Sequence, residues 1–136
     1  MDFDTKVAIV LRDDLAGWQR ANVAAFLISG VVGTTDDIVG PDYEDASGNT
    51  YLPMLVQPVQ VFQTDAVGLR RAWERALARD LKPAIYTADL FATMNDDDNR
   101  AAVAAVKAEE LDLVGLGLRA DRKLVDKIFD KVRRHP

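Results

Sequence analysis

The run Lys6-Val7-Ala8-Ile9-Val10-Leu11 is apolar without alternation from Val7 onward, and no other segment constrains the fold as strongly. A strand with one face in water alternates apolar and polar residues. A strand without alternation needs an apolar layer on each side. In a chain of 136 residues those layers must come from helices of the same unit, so residues 1–136 are expected to form a single α/β domain.

The rest of the chain supplies such helices. Asp14 is placed to cap a helix from about Leu15 to Ser29, with Gly30 stopping it. Ala21, Ala24, Ala25 and Ile28 follow helical spacing as its inward stripe, which Phe26 and Leu27 widen. Between Val31 and Pro53, turn residues flank Tyr43-Glu44 and Thr50-Tyr51-Leu52, the pattern of a small hairpin. Leu55 to Phe62 reads as a strand, with Pro58 at its start or on an edge. Thr64 or Asp65 caps an amphipathic helix with Leu69, Trp73, Ala76 and Leu77 inward. Ala84 to Thr87 is a short strand, and a helix is expected from about Asp96 to Glu110. Leu111 to Leu116 is the last strand. Asp121 then caps a helix with Leu124, Val125, Ile128, Phe129 and Val132 inward. Strands alternating with helices predict helices on both faces of a small sheet.

Composition removes much chemistry. Cysteine is absent and the one histidine, His135, is penultimate, which excludes thiol nucleophiles, cysteine-based zinc sites and a Ser-His-Asp triad. Asp96-Asp97-Asp98 resembles the start of a calcium loop, but Arg100 and Ala101 stand where an oxygen ligand and glycine belong. The three acids suit the first turn of a helix instead, and no metal or cofactor is expected. Gly115-Leu116-Gly117-Leu118-Arg119-Ala120 fits a dinucleotide fingerprint locally, but too little chain follows for its second strand and acidic residue. Close packing of strand on helix explains the glycines.

The net charge is −5, unevenly spread. Thr35 to Thr50 carries five acids and no base, whereas Arg119 to Pro136 carries seven bases and three acids. Contact with nucleic acid is therefore a local possibility at the basic end and poorly supported for the whole chain. The most apolar stretch, Val23 to Val32, is about half the ~20 residues that span a bilayer, and Met1-Asp2-Phe3-Asp4 is acidic where an export signal is basic. No membrane association and a cytoplasmic location are expected.

Ligands of open α/β sheets gather beyond the carboxyl ends of the strands. Those ends are expected to carry Arg12 and Asp14, Thr87 and Asp89, and Gly117 to Arg119, with Gln19, Arg20 and Asn22 on the first helix. Arg12, Asp14, Gln19, Arg20, Asn22, Thr87 and Arg119 are the candidate ligand-binding residues. The rival reading of Arg12 and Asp14 is a pair that closes the strand–helix turn.

Several strings resemble the type II peptidyl-tRNA hydrolases: Val10-Leu11-Arg12-Asp13-Asp14-Leu15, Val23-Ala24-Ala25, Leu113-Val114-Gly115-Leu116-Gly117 and Leu124-Val125-Asp126-Lys127. Others, Tyr51-Leu52-Pro53-Met54-Leu55, Gln57-Pro58-Val59 and Leu90-Phe91-Ala92-Thr93, resemble an uncharacterised bacterial family catalogued as domain of unknown function two thousand. The resemblance implies a three-layer α/β/α fold of the hydrolase kind, with a small mixed sheet of four to five strands. The chain departs from the hydrolases after the first strand, where Gly17-Trp18-Gln19-Arg20-Ala21-Asn22 holds no lysine. It departs again at Thr87-Ala88-Asp89-Leu90-Phe91-Ala92, which replaces their D-A-G-R-T-Q string. The expected function is binding of a small polar or anionic ligand at the strand ends. The alternatives are a hydrolase of peptidyl- or aminoacyl-tRNA-like esters and a homodimeric interaction module, the latter from the apolar second half of the first helix.

Overall fold

The structure, a computed structural model, describes residues 3–134, and the side chains only as far as Val132. His135 lies outside the described residues. β1 (Thr5–Arg12) is followed by α1 (Gly17–Gly33), then by the hairpin strands β2 (Tyr43–Glu44) and β3 (Thr50–Tyr51). β4 (Val59–Thr64), α2 (Ala66–Ala78) and β5 (Ala84–Thr87) come next, and α3 (Asp96–Ala104) lies beyond a short 3₁₀ turn. β6 (Leu113–Asp121), α4 (Arg122–Ile128) and β7 (Arg133–Arg134) complete the order.

The sheet runs β5-β6-β1-β4-β7, a mixed sheet whose last strand is a two-residue edge. β1 is central: parallel to β4 and antiparallel to β6. Its apolar run divides between two layers as the absence of alternation requires. Ile9 and Leu11 pack with Val23 and Leu27 of α1. Ala8 and Val10 point the other way, into a cluster with Leu69, Ala72 and Ala76 of α2 and Val125 and Ile128 of α4.

Four expectations about the helices shift. α1 begins at Gly17 rather than Leu15, and the Asp14 carboxylate, turned to Arg12 at 2.7 Å, does not cap it. Instead Gln19 Oε1 accepts the Ala16 amide at 2.9 Å, the returning half of a capping box. Gly30 does not end the helix; it lies within it, where a Cβ would meet Ala84 at 3.3 Å. The buried stripe is Val23, Leu27 and Val31, while Ala21 and Ala25 face water. α3 stops at Ala104 rather than Glu110, and none of its residues is buried, so little tertiary packing extends it.

β6, expected to end at Leu116, runs on to Asp121, since β1 gives it partners from Gly115 to Asp121. Gly115 and Gly117 are therefore mid-strand, beneath α1. A Cβ on Gly115 would lie 2.6 Å from Val23 Cγ1 and 2.9 Å from Leu27 Cδ1. Close packing explains both glycines, as the sequence suggested.

β4 runs Val59–Thr64 where Leu55 to Phe62 was expected, and α4 ends at Ile128, short of Val132, but the caps fall where the sequence placed them. Asp65 caps α2 by accepting the Gly68 amide at 2.8 Å, and Asp121 caps α4 by accepting that of Lys123 at 3.0 Å. α2 ends in a paired closure, Leu81 N to Ala76 O and Asp80 N to Leu77 O, both 3.1 Å, with Asp80 left-handed at φ 57°. Pro58 immediately precedes β4, where its missing N–H is harmless. The hairpin stands out in solvent, organised by Asp45. Its carboxylate accepts from the Ser47 and Asn49 amides, from Asn49 Nδ2 and from Tyr51 Oη at 2.7 Å. The Tyr51 and Asn49 bonds hold its pKa down to about 2.

Candidate functional site

The carboxyl edge of the sheet carries the ends of β1, β4 and β5 and, because β6 is antiparallel, the start of β6. Arg12 dominates its centre. Its Nε donates to Asp14 and its Nη1 to Asp112, both at 2.7 Å, and Nη1 also reaches Leu113 O at 3.1 Å. Burial pulls the Arg12 pKa down, but the two carboxylates outweigh it and the value is raised; the Arg12 bond in turn lowers Asp14. Two acids on one cation leave little attraction for a third anion.

Arg20 is likewise a strap. It donates to Leu15 O at 3.1 Å, Gln63 Oε1 at 3.1 Å and Asp13 O at 2.7 Å, tying the β1–α1 turn to β4. Gln19 serves the helix start. Arg119 is not at this edge: antiparallel pairing sets it opposite Val7, with Nε on Gln57 Oε1 at 3.2 Å, at the far end of the sheet. The sequence order placed it at a carboxyl end, which is true of β6, but β6 runs the other way.

Asn22 and Thr87 lie in a different environment. Asn22, with Trp18 before it and Phe26 after it, marks one face of α1 at spacings of four. These three line a cleft of about 260 Å³ with Tyr86, Phe91 and Asn99. Its rings form a row. Trp18 and Phe91 meet edge to face at 5.8 Å between centroids, Phe91 and Tyr86 are 5.2 Å apart, and Tyr86 and Phe26 5.9 Å. Tyr86 is buried while Trp18 is 65% and Phe26 52% exposed, so the row reaches the surface at both ends and the core at Tyr86.

The polar groups of the cleft are mostly uncharged. Asn22 Nδ2 donates to Tyr86 Oη at 3.4 Å, and Thr93 donates to Asn99 Oδ1. Burial raises the Tyr86 pKa against the lowering effect of Asn22, so the phenol is neutral at physiological pH. Since its oxygen accepts from Asn22, its own proton is left to donate outward. Next to it Thr87 is buried, and its hydroxyl has no hydrogen-bond partner among the described residues. The arrangement suits a planar or apolar group against the rings with amide or hydroxyl contacts at Asn22 and Tyr86. No group of three or more metal-ligating side chains comes together among the described residues.

The profile of the family described as protein of unknown function (DUF2000) matches residues 5–136. The chain belongs to this family. A solved structure of Atu0240, a protein of unknown function from Agrobacterium tumefaciens, is similar to this DUF2000 chain at 45% identity, with a TM-score of 0.97 and coverage of 99% of this chain and 100% of that one. No curated protein matches significantly. No helix among the described residues is long and apolar enough to cross a membrane.

Of the candidate residues in this DUF2000 chain, Arg12, Asp14, Gln19 and Arg20 hold the edge together, Asn22 lines the cleft, Thr87 is buried beside it and Arg119 is remote. Trp18, Phe26, Tyr86 and Phe91 were not among the residues expected from sequence. A signal existed for two of them: Trp18, Asn22 and Phe26 recur every fourth residue, the spacing of one helix face.

Proposed function

We propose that the protein binds a small, uncharged polar molecule with a planar or apolar face in the cleft at the end of β5. The observation that carries this is the row of four rings converging on the Asn22–Tyr86 pair. Arg12 and Arg20, already committed to internal acceptors, support an architectural role and so favour a neutral ligand over an anion. A single cytoplasmic domain with the hydrolase-like fold is part of the same reading. The fold in this reading is supported by the Arg12-Asp13-Asp14-Leu15 turn directly after β1 and by the glycines of β6 beneath α1.

A thermal-shift and calorimetric screen of neutral nucleosides, N-acetyl amino-acid amides and simple anions tests it. An uncharged planar compound is expected to bind, and Asn22→Ala and Phe91→Ala each to weaken it about tenfold, the scale of one lost hydrogen bond or ring contact. Binding of anions alone, or variants with unchanged affinity, removes the proposal.

A second reading is a homodimer formed through the hairpin region. Leu52 is 85% and Met54 62% exposed on it, beside the tip whose amides and Tyr51 hydroxyl bond Asp45. Sedimentation velocity is expected to show a dimer that Leu52→Asp/Met54→Asp converts to a monomer. A wild-type monomer throughout a wide concentration range rejects this reading.

A further inference from the structure

Among the described residues β1 and β4 are the one parallel pair; every other pairing in the sheet is antiparallel. The segments that leave these two strands go to opposite faces. β1 feeds α1, which packs on Ile9 and Leu11. β4 feeds α2, which packs on Ala8 and Val10. Where neighbouring parallel strands send their chains apart, a crevice opens outside their carboxyl ends, the place where open α/β sheets take ligands. Here that crevice is a cavity of about 300 Å³. Its floor is Asp13 after β1, whose amide bonds Thr64 O at 2.9 Å, and the Thr64–Gly68 start of α2. Gly68 belongs to the construction, because a Cβ there would collide with the Thr64 hydroxyl folded over the helix turn.

The walls carry both signs of charge. Arg71 and Lys131 stand with Asp13 and Asp130 around the same cavity, yet none of the four forms an ion pair or side-chain hydrogen bond with a described residue. Arg75, which also lines it, is occupied: its Nη1 donates to Ile128 O at 3.3 Å and Asp130 O at 3.2 Å. The contrast with Arg12, whose charge is fully countered, is chemical. A lone anion here meets the carboxylates of Asp13, Asp65 and Asp130 and a lone cation the charges of Arg71, Arg75 and Lys131, whereas a molecule with both charges has an unpaired partner of each sign.

We propose that this cavity is a second binding site, separate from the aromatic cleft. It takes a small zwitterion of the α-amino acid kind, carboxylate toward Arg71 and Lys131, ammonium toward Asp13 and Asp130. The inference does not rest on the cleft reading, since the two sites share no lining residue.

The test is an amide chemical-shift titration of the whole chain with each proteinogenic amino acid at millimolar concentration. Propionate and ethylamine, which are alanine without its amine and without its carboxylate, and inorganic phosphate serve as single-charge probes. At least one amino acid is expected to saturate and to move the amides of Asp13, Thr64 and Gly68. The single-charge probes should bind about tenfold more weakly or not at all. Arg71→Gln and Asp13→Asn, both at surface positions, should each lower the affinity about tenfold while Asn22→Ala leaves it unchanged. No saturable binding by any amino acid overturns the proposal. So does phosphate binding as tightly as the best amino acid, or shifts confined to Asn22 and Tyr86, which would instead assign the ligand to the cleft.

Discussion

Gly115→Ala is expected to destabilise the protein by about 2 kcal/mol, the usual penalty of overpacking, although it adds one methyl group. The new Cβ would lie 2.6 Å from Val23 Cγ1 and 2.9 Å from Leu27 Cδ1. Both side chains are fully buried against the sheet, so neither has room to retreat without lifting α1. Urea unfolding measures the effect. The double variant Gly115→Ala/Val23→Ala should be less destabilised than the two single changes added together, because removing Val23 Cγ1 makes space for the added methyl. Strict additivity, or a wild-type midpoint for Gly115→Ala, would mean that α1 does not sit directly on β6.

Leu69→Ala carries the larger expected loss, about 3 kcal/mol. Leu69 is fully buried where α2 meets β1, β6 and α4, and truncation leaves a cavity that three rigid elements cannot collapse. For a chain of this size, thermal denaturation should fall by roughly 10 °C. Leu77→Ala on the same helix is the control: Leu77 is 43% exposed, and its loss should stay within about 0.5 kcal/mol. Equal effects at the two positions would show that α2 turns a different face to the sheet.

Leu69 and Leu77 also show where sequence periodicity reaches its limit. Both belong to an inward stripe of α2 by spacing, but the face turned to the sheet is that of Leu69, Ala72 and Ala76, so that Ala72 is buried and Leu77 is not. In α1, apolar all round in its second half, periodicity could not choose a face; the two glycines of β6 chose it, admitting Val23 and Leu27. Element types and most caps were legible because they depend on neighbours in sequence: Asp65 and Asp121 cap, Pro58 precedes its strand, and Tyr43-Glu44 pairs with Thr50-Tyr51.

The candidate site was less legible, for a physical reason seen in Arg12 and Arg119. Both were expected beyond strand carboxyl ends. Strand direction is a property of pairing, however, and antiparallel β6 carries Arg119 to the opposite edge. Arg12 is where expected, but its role depends on Asp112, one hundred residues later, which together with Asp14 neutralises it.

The sequence by itself determined that a strand buried on both faces needs helices on both sides, and it excluded thiol chemistry through the absence of cysteine and argued against a triad through a single, penultimate histidine. It determined the family as well, through strings that recur with their local turns. Only the tertiary structure decided which charges are already answered and which still stand open around a cavity. Ion pairing depends on distances across the fold, and the apolar run that demanded two layers did not say where the parallel partner of β1 would open a crevice between them.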